Sequence, residues 1–142
     1  MKRCNKRNIP LECECYDISH VSNMLELVDR RVLKRPVHFS FVLGVKGGTF
    51  ASPKIINAMV DMIPEDSSWQ VITISKLNIT STVMAMCMGA NIRTGLEDTI
   101  YYSRGILAKS NAQLVERMVR IAREIDREPA TVEETKTLMG LK

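Results

Sequence analysis

Residues 37–53 read VHFSFVLGVKGGTFASP, and this stretch joins an apolar run directly to a helix start. The run from 37 to 45 is nearly all apolar or aromatic, as expected for a strand that is covered on both faces of a parallel sheet. It stops at Lys46, Gly47 and Gly48, and Ser52 followed by Pro53 then marks the first turn of a helix. A buried strand followed at once by a helix predicts a βα unit.

The same order recurs on both sides of this unit. Residues 9–16 alternate apolar and acidic side chains, which predicts a strand with one polar face, and Asp17 or Ser19 can cap the helix that follows. Thr131 with Glu134 forms a capping-box pattern that predicts a last helix. The predicted strands span residues 9–16, 37–45, 69–74 and 90–96. The predicted helices span residues 21–32, 53–63, 80–88, 111–125 and 131–140.

Four strand-helix units without a linker predict a single α/β domain, residues 1–142, built on a parallel sheet. A barrel of eight such units needs about 250 residues, so the chain is expected to hold half of a (β/α)8 barrel or a small open doubly wound sheet. In either architecture the loops after the strands face one crevice and carry the function. The residues that stand out chemically fall in these loops: 17–20, 46–48, 75–76 and 93–98.

Composition narrows the possible classes of protein. Of the 142 residues, 45% are hydrophobic and 25% charged, as in an ordinary soluble domain, and no apolar run reaches the ~18 residues of a membrane span. The basic first residues lead into an acidic stretch rather than a signal-peptide core, which predicts a cytoplasmic protein. The +4 formal charge is concentrated in the first seven residues and aromatic residues make up 5%, so nucleic-acid binding is not expected.

Four cysteines, at positions 4, 13, 15 and 87, contain no CxxC pair. We interpret them as buried thiols without a metal-binding role. The two histidines do not form a close pair: His20 follows the first predicted strand, and His38 opens the second. His20 is more typical of a cap or surface residue than of a ligand, and His38 is expected to be structural.

Residues 93–98 read RTGLED and place three ionisable groups within one turn of chain at the end of a predicted strand. One division of labour has Glu97 binding a metal, Asp98 acting as general base, and Arg93 neutralising oxyanion charge. A solvated loop with an Arg-carboxylate ion pair explains the same residues equally well. The segment alone leaves both interpretations open.

Three further residues are candidates for holding an anion such as the phosphate groups of a cofactor. Gly47 and Gly48 follow a strand and leave backbone amides accessible, although a plain tight turn is the more common meaning of such a pair. Lys76 follows the third predicted strand and offers a point charge.

Four segments taken together resemble the beta-keto acid cleavage enzymes, over essentially the whole chain and in the right order. They are residues 37–48, RTGLED at 93–98, SRGILA at 103–108 and SNAQLVE at 110–116. The resemblance corresponds to the C-terminal half of that family, and it implies half of a (β/α)8 barrel. It also implies a divalent metal, usually zinc, and a reaction of a beta-keto acid with acetyl-CoA that yields acetoacetate and a new acyl-CoA.

The resemblance assigns roles to the same residues as the chemistry did. It implies that Glu97 is a zinc ligand, that Asp98 is the catalytic base and that Arg93 assists the reacting substrate. Gly47, Gly48 and Lys76 become candidates for binding coenzyme A, although the chain has Ser75-Lys76 where many relatives have Gly-Arg. Lysine matches the charge of arginine without its bidentate geometry.

The family's other two zinc ligands form a His-x-His pair, and the chain contains no such pair. Because catalytic zinc generally takes three protein ligands, we expect the chain to be inactive or weakly active alone. It is expected to be completed by an N-terminal half or by self-association into an oligomer. The competing hypothesis is a non-catalytic βα module that binds an anionic ligand or a partner protein. A third hypothesis, an independent fold that binds a nucleotide, is disfavoured because the sequence contains no glycine-rich phosphate-binding motif.

Overall fold

The computed structural model describes residues 1–141, apart from the side chain of Ser75. Four parallel strands form one sheet, and two short strands form a separate antiparallel hairpin. The sheet contains β1 (Glu12–Cys15), β2 (His38–Leu43), β3 (Ser68–Thr73) and β4 (Asn91–Ile92), and the hairpin contains β5 (Tyr101–Ser103) and β6 (Ile106–Leu107). The helices are α1 (Lys2–Lys6), α2 (Ile18–Asp29), α3 (Pro53–Val60), α4 (Asn78–Cys87), α5 (Asn111–Glu124) and α6 (Val132–Leu138), with a 3-10 turn at Ser75–Leu77.

The strands lie side by side in chain order, β1-β2-β3-β4, and all three pairings are parallel. The predicted α/β sheet is therefore confirmed. Two helices start where their predicted caps place them. Ser52 Oγ accepts the backbone N–H of Ile55 at the start of α3, and Thr131 and Glu134 form a complete capping box at the start of α6.

Successive side chains of a strand alternate between the two faces of the sheet, so that one face is apolar. The other, called the polar face, has polar side chains toward its amino end and the apolar Val42 and Ile72 toward its carboxyl end. The apolar face packs against α2, α3 and α4 and forms the main core, in which Phe39 and Phe41 are fully buried. Each such side chain contributes roughly 1.5–3 kcal/mol by leaving water. The core residues of the strands are Cys13, Cys15, Phe39, Phe41, Leu43, Trp69 and Val71.

The opposite face carries polar side chains in register across all four strands. Glu14, Ser40, Gln70 and Asn91 lie in one row. Below this row, Glu12 accepts a hydrogen bond from Ser40 and another from Gln70 Nε2, at 3.0 Å. The polar side chains of Glu12, Ser40 and Gln70 thus satisfy one another on this face.

One predicted element was wrong in extent, and two observed elements were not predicted. The strand predicted at 90–96 is limited to Asn91–Ile92, because the carbonyl of Gly95 accepts the N–H groups of Asp98 and Thr99, which closes the following residues into a turn. The β5–β6 hairpin was not predicted, although Gly105 at its tip adopts a φ of 77°, a conformation that favours glycine. The short helix α1 was not predicted either. None of the helices found within residues 1–141 is both long and apolar enough to cross a membrane.

Arg127 ties the end of α4 to the chain that follows α5. Its Nη1 donates to the carbonyl oxygens of Met86, at 2.6 Å, and Ala90, at 2.9 Å, both in buried residues. Arg127→Met keeps the stem but removes the donor, so we expect the free energy of unfolding to fall by about 1–3 kcal/mol in urea denaturation. Arg123→Met is the control, because within residues 1–141 the Arg123 side chain makes an exposed ion pair with Glu128 and no other side-chain contact of this kind. Equal losses in the two variants would contradict this role.

Candidate functional site

The candidate site lies just beyond the carboxyl end of β4. Arg93 follows Asn91 by two residues and therefore projects from the polar face of the sheet. The turn that holds Glu97 and Asp98 is anchored from α5, since Asn111 Oδ1 accepts the backbone N–H of Leu96 at 2.7 Å. A Cβ at Gly95 would lie only 3.1 Å from that oxygen, so glycine allows the close approach. Asn111 and Gly95 together therefore determine where the loop lies against α5.

Arg93 and Asp98 form a bidentate ion pair. Arg93 Nε lies 3.2 Å from Asp98 Oδ2, and Nη2 lies 3.1 Å from Oδ1. The Asp98 side chain is 3% exposed and that of Arg93 is 30% exposed. Because each of its oxygens accepts a hydrogen bond from Arg93, the Asp98 carboxylate has a fixed orientation, and its burial shields it from water.

Two opposing effects act on the Asp98 carboxyl. Burial raises its pKa, the charge and hydrogen bonds of Arg93 lower it, and the net pKa is raised above the ordinary value. Burial acts against the charged form of Arg93, but the nearby carboxylates outweigh it and raise the Arg93 pKa. The raised pKa moves Asp98 toward the range in which a carboxylate is an effective general base.

Two more carboxylates contact the same guanidinium. Glu97 Oε2 lies 3.0 Å from Arg93 Nη2, and the Glu97 side chain is 83% exposed. Glu14 on β1 places its Oε1 3.5 Å from Arg93 Nη1, and its side chain is 42% exposed. Sequence reasoning missed Glu14, although its position on the polar face of a predicted strand was a usable signal.

The pairing of Arg93 with Glu14 crosses the sheet. Glu14 lies on the first strand and Arg93 follows the fourth. In a flat sheet, three strand spacings would separate their backbones by about 14 Å. The two side chains reach toward each other over β2 and β3. A sheet that curves toward its polar face shortens this span.

The candidate anion-binding residues lie apart from this cluster. Gly47 has a φ of 87° and open space where a Cβ would be, whereas a Cβ at Gly48 would lie 2.9 Å from the Tyr16 carbonyl oxygen. Gly48 is thus required by packing against the end of β1. Lys76 is exposed in the 3-10 turn after β3. Within residues 1–141, no hydrogen bond or ion pair connects these three residues to Arg93 or its carboxylates.

The histidines have structural partners. His20 Nδ1 accepts the backbone N–H of Tyr16 at 3.1 Å, and His38 Nδ1 lies 2.8 Å from Ser68 Oγ at the amino ends of the strands. Burial lowers the pKa of His38.

The prediction of four buried thiols was only half right. Cys13 and Cys15 are buried, but Cys4 is half-buried and Cys87 is exposed, because Cys87 ends α4 on its outer side. Burial raises the pKa of Cys15 to about 12, so this thiol stays protonated and unreactive at neutral pH.

The described residues do not by themselves fit a zinc ion. Within residues 1–141, no group of three or more His, Cys, Asp or Glu side chains is arranged to hold a metal. Catalytic zinc takes three protein ligands, and Glu97 offers a single carboxylate that is already paired with Arg93. Any metal at this position needs further ligands from elsewhere.

The Arg93 cluster is open to solvent on the side of Glu97, whose side chain is 83% exposed. Two cavities, of about 240 and 170 Å³, lie at the other end of the sheet, around Leu11, Pro36 and Met139. Neither is lined by Arg93 or Asp98. Substrate binding at the Arg93 cluster would thus need a second wall.

Asp17 supports the neighbouring end of β1 and gives a pH-dependent prediction. Thr49 Oγ1 donates to Asp17 Oδ2 at 2.6 Å, and the hydroxyl and N–H of Ser19 donate to Oδ1, so the pKa of Asp17 falls to about 2. A lowered carboxyl pKa stabilises the fold above the ordinary value of 3.8, and this contribution is lost as the pH falls toward 2. Asp17→Asn is expected to flatten the fall in stability over this interval in acid denaturation. An unchanged slope would contradict it.

The chain matches a family model described as beta-keto acid cleavage enzyme over residues 1–141. It is 35% identical over 136 residues to the 3-keto-5-aminohexanoate cleavage enzyme of Acetoanaerobium sticklandii, covering 96% of this chain and 50% of the relative. The enzyme of the same name from Fusobacterium nucleatum is 37% identical over 137 residues, with 96% and 50% covered. The 3,5-dioxohexanoate:acetyl-CoA acetone transferase of Paraburkholderia graminis is 31% identical over 143 residues, with 98% and 46% covered.

The chain therefore spans about half the length of the curated relatives it matches. The names of these relatives describe cleavage of a beta-keto acid or transfer with acetyl-CoA. The family predicted from the RTGLED and neighbouring segments is confirmed by the family model and by the individual relatives. The chain therefore belongs to the beta-keto acid cleavage enzyme family.

Proposed function

We propose that the chain supplies one wall of the active site of a beta-keto acid cleavage enzyme, with Arg93 and Asp98 as its catalytic residues. The observation that carries the proposal is the bidentate Arg93–Asp98 pair, in which a carboxyl group only 3% exposed sits at the carboxyl end of a parallel strand. Active sites of α/β proteins lie at this end of the sheet.

The proposed architecture is a single partial domain, the C-terminal half of a (β/α)8 barrel. Three features support it: the strands lie in chain order without a reversal, the polar face carries the site, and Arg93 contacts Glu14 across the sheet. In the sheet of residues 1–141, β1 and β4 each have a neighbour on one side only. Open strand edges associate readily, so we propose that an N-terminal half or a second copy of the chain covers them.

In the proposed reaction, the Asp98 carboxylate removes a proton from the carbon between the ketone and the carboxylate of the substrate. The C–H bond breaks, an O–H bond forms on Asp98, and the electron pair delocalises onto the ketone oxygen. Arg93 stabilises the negative charge that develops nearby. The carbanion attacks the carbonyl carbon of the acetyl thioester, so that a C–C bond forms, the C–S bond breaks and the coenzyme A thiolate is released. The thiolate then attacks the original ketone carbon, and the bond between that carbon and the former carbanion carbon breaks, which gives the new acyl-CoA and the carbanion of acetoacetate. Asp98 returns its proton to this carbanion, so the net products are acetoacetate and a new acyl-CoA.

Glu97 is proposed to supply one carboxylate ligand of a divalent metal, zinc by analogy with the family, once the remaining ligands are brought by the partner. Its 83% exposure and its position on the rim beside Arg93 support this role. For coenzyme A, exposed Lys76 and the backbone of Gly47 and Gly48 are the proposed contacts, and Gly48 is in addition needed for close packing against Tyr16.

The proposal is tested by adding the N-terminal half of the Acetoanaerobium sticklandii relative to the purified chain. Formation of acetoacetate from 3-keto-5-aminohexanoate and acetyl-CoA is measured for each part and for the mixture. We expect product from the mixture only. Turnover by the chain alone would refute the shared site.

The alternative function is a non-catalytic βα module that binds an anionic ligand or a partner. It is favoured by the complete pairing of Arg93, whose charge is met by Glu14, Glu97 and Asp98. If the two halves associate in sedimentation experiments but the complex forms no acetoacetate, the ion-pair cluster is structural and this alternative is correct.

A further inference from the structure

We propose that Tyr16 is a positioning residue for the site, whose hydroxyl group fixes Glu14 so that Glu14 in turn holds Arg93 against Asp98. Its importance for catalysis rests on the function proposed above for Arg93 and Asp98. The positioning itself is a structural claim that can be tested without substrate.

The contacts run in an unbroken line. Tyr16 and Glu14 are two residues apart at the end of β1, so both side chains lie on the polar side of the sheet. The Tyr16 hydroxyl donates to Glu14 Oε2 at 2.8 Å, and the other oxygen, Oε1, lies 3.5 Å from Arg93 Nη1. The hydrogen bond to Glu14 also raises the pKa of Tyr16, so the phenol remains a donor at neutral pH.

The backbone of Tyr16 is itself held from two sides. Its N–H donates to His20 Nδ1 at 3.1 Å, and its carbonyl accepts the N–H of Thr49 at 2.8 Å. The rings of Tyr16 and His20 meet edge to face, with centroids 6.3 Å apart. The absence of a side chain at Gly48 allows the loop to approach the Tyr16 carbonyl this closely. The position of Tyr16 is therefore well defined, so its hydroxyl group can restrain the Glu14 side chain.

Glu14 needs such a restraint. It is 42% exposed, and an ion pair of this exposure gains little because both flexible side chains must be ordered to form it. The hydroxyl of Tyr16 restricts Glu14 to a rotamer that faces Arg93. With Nη1 occupied by Glu14, the guanidinium presents Nε and Nη2 to Asp98, which is the arrangement that the proposed base requires.

The test measures rotation of the Arg93 guanidinium about its Nε–Cζ bond, from exchange between the Nη1 and Nη2 signals in nitrogen-15 NMR of the full chain. Tyr16→Phe removes only the hydroxyl and is expected to speed rotation roughly two- to fivefold, the factor that corresponds to one exposed ion pair. Tyr102→Phe is the matched control, because its hydroxyl contacts Arg120 at 3.5 Å, outside the site. It should leave the rotation of Arg93 unchanged.

A double variant shows whether the Tyr16 hydroxyl slows rotation of Arg93 through Glu14 or by some other effect on the fold. Tyr16→Phe added to Glu14→Gln is expected to change the rotation no further than Glu14→Gln alone. Unchanged rotation in Tyr16→Phe, or a full additional effect in the double variant, would overturn the proposal. If Tyr16→Phe does not fold, the Tyr16 hydroxyl proton is compared in the wild-type chain and Glu14→Ala, and equally fast exchange in both overturns it. Because no substrate is used, failure here leaves the proposed function to be judged by turnover alone.

Discussion

Replacing Asp98 by asparagine is expected to lower turnover by the combined halves roughly 10²- to 10⁴-fold, the range that general-base catalysis contributes. Asparagine keeps the shape of the side chain but cannot accept the substrate proton. The control is Asp66→Asn, since Asp66 is an exposed partner of Arg35 at the amino ends of the strands. Initial rates of acetoacetate formation give the measurement. A rate for Asp98→Asn equal to that of Asp66→Asn would remove Asp98 from the mechanism.

Replacing Arg93 by methionine is expected to lower the free energy of unfolding by roughly 3 kcal/mol near neutral pH, because the buried Asp98 carboxylate loses its charged partner. The pKa of the unpaired carboxyl rises further, so the loss should shrink in acid, where Asp98 is protonated in both folded and unfolded chains. Denaturant melts at several pH values give the measurement.

Arg35→Met provides the matched comparison for Arg93→Met. Arg35 also contacts a carboxylate bidentately, but its ion pair with Asp66 is about half exposed, so its loss should cost at most about 1 kcal/mol. If Arg93→Met destabilises the chain no more than Arg35→Met does, burial of Asp98 is not what gives the Arg93 pair its strength.

Local patterns were sufficient to predict most elements of the fold. The Ser52-Pro53 start and the Thr131 capping box act through hydrogen bonds within a few residues, and both occur as expected. The apolar run of β2 is buried along its whole length, as its composition indicated. These features depend on interactions between residues that are close together in the chain, so the local sequence is enough to predict them.

Features that depend on distant contacts were not predicted. The length of β4 depends on how the turn at Gly95 is anchored by Asn111 from another helix, and no periodicity records that contact. Glu14 joins the site only through the register of four strands and the reach of Arg93. Gly48 was a candidate for contacting a cofactor, but its packing against Tyr16 becomes visible only in three dimensions.

Motif chemistry alone assigned Arg93, Glu97 and Asp98 to one cluster, and the structure brings the three together. Their spacing could not distinguish a catalytic site from an ion pair, because both use the same contacts. The burial of Asp98 and the exposure of Glu97 distinguish the two carboxylates, and neither property can be read from their spacing in the chain.

Hydrogen exchange in the substrate isolates the proton-transfer step assigned to Asp98 from the rest of the reaction. The combined halves are incubated in deuterium oxide with 3-keto-5-aminohexanoate and without acetyl-CoA, and exchange of the hydrogens between ketone and carboxylate is followed by proton NMR. We expect exchange above the spontaneous rate with the wild-type chain and only the spontaneous rate with Asp98→Asn. Exchange at the wild-type rate in the Asp98→Asn mixture would contradict it.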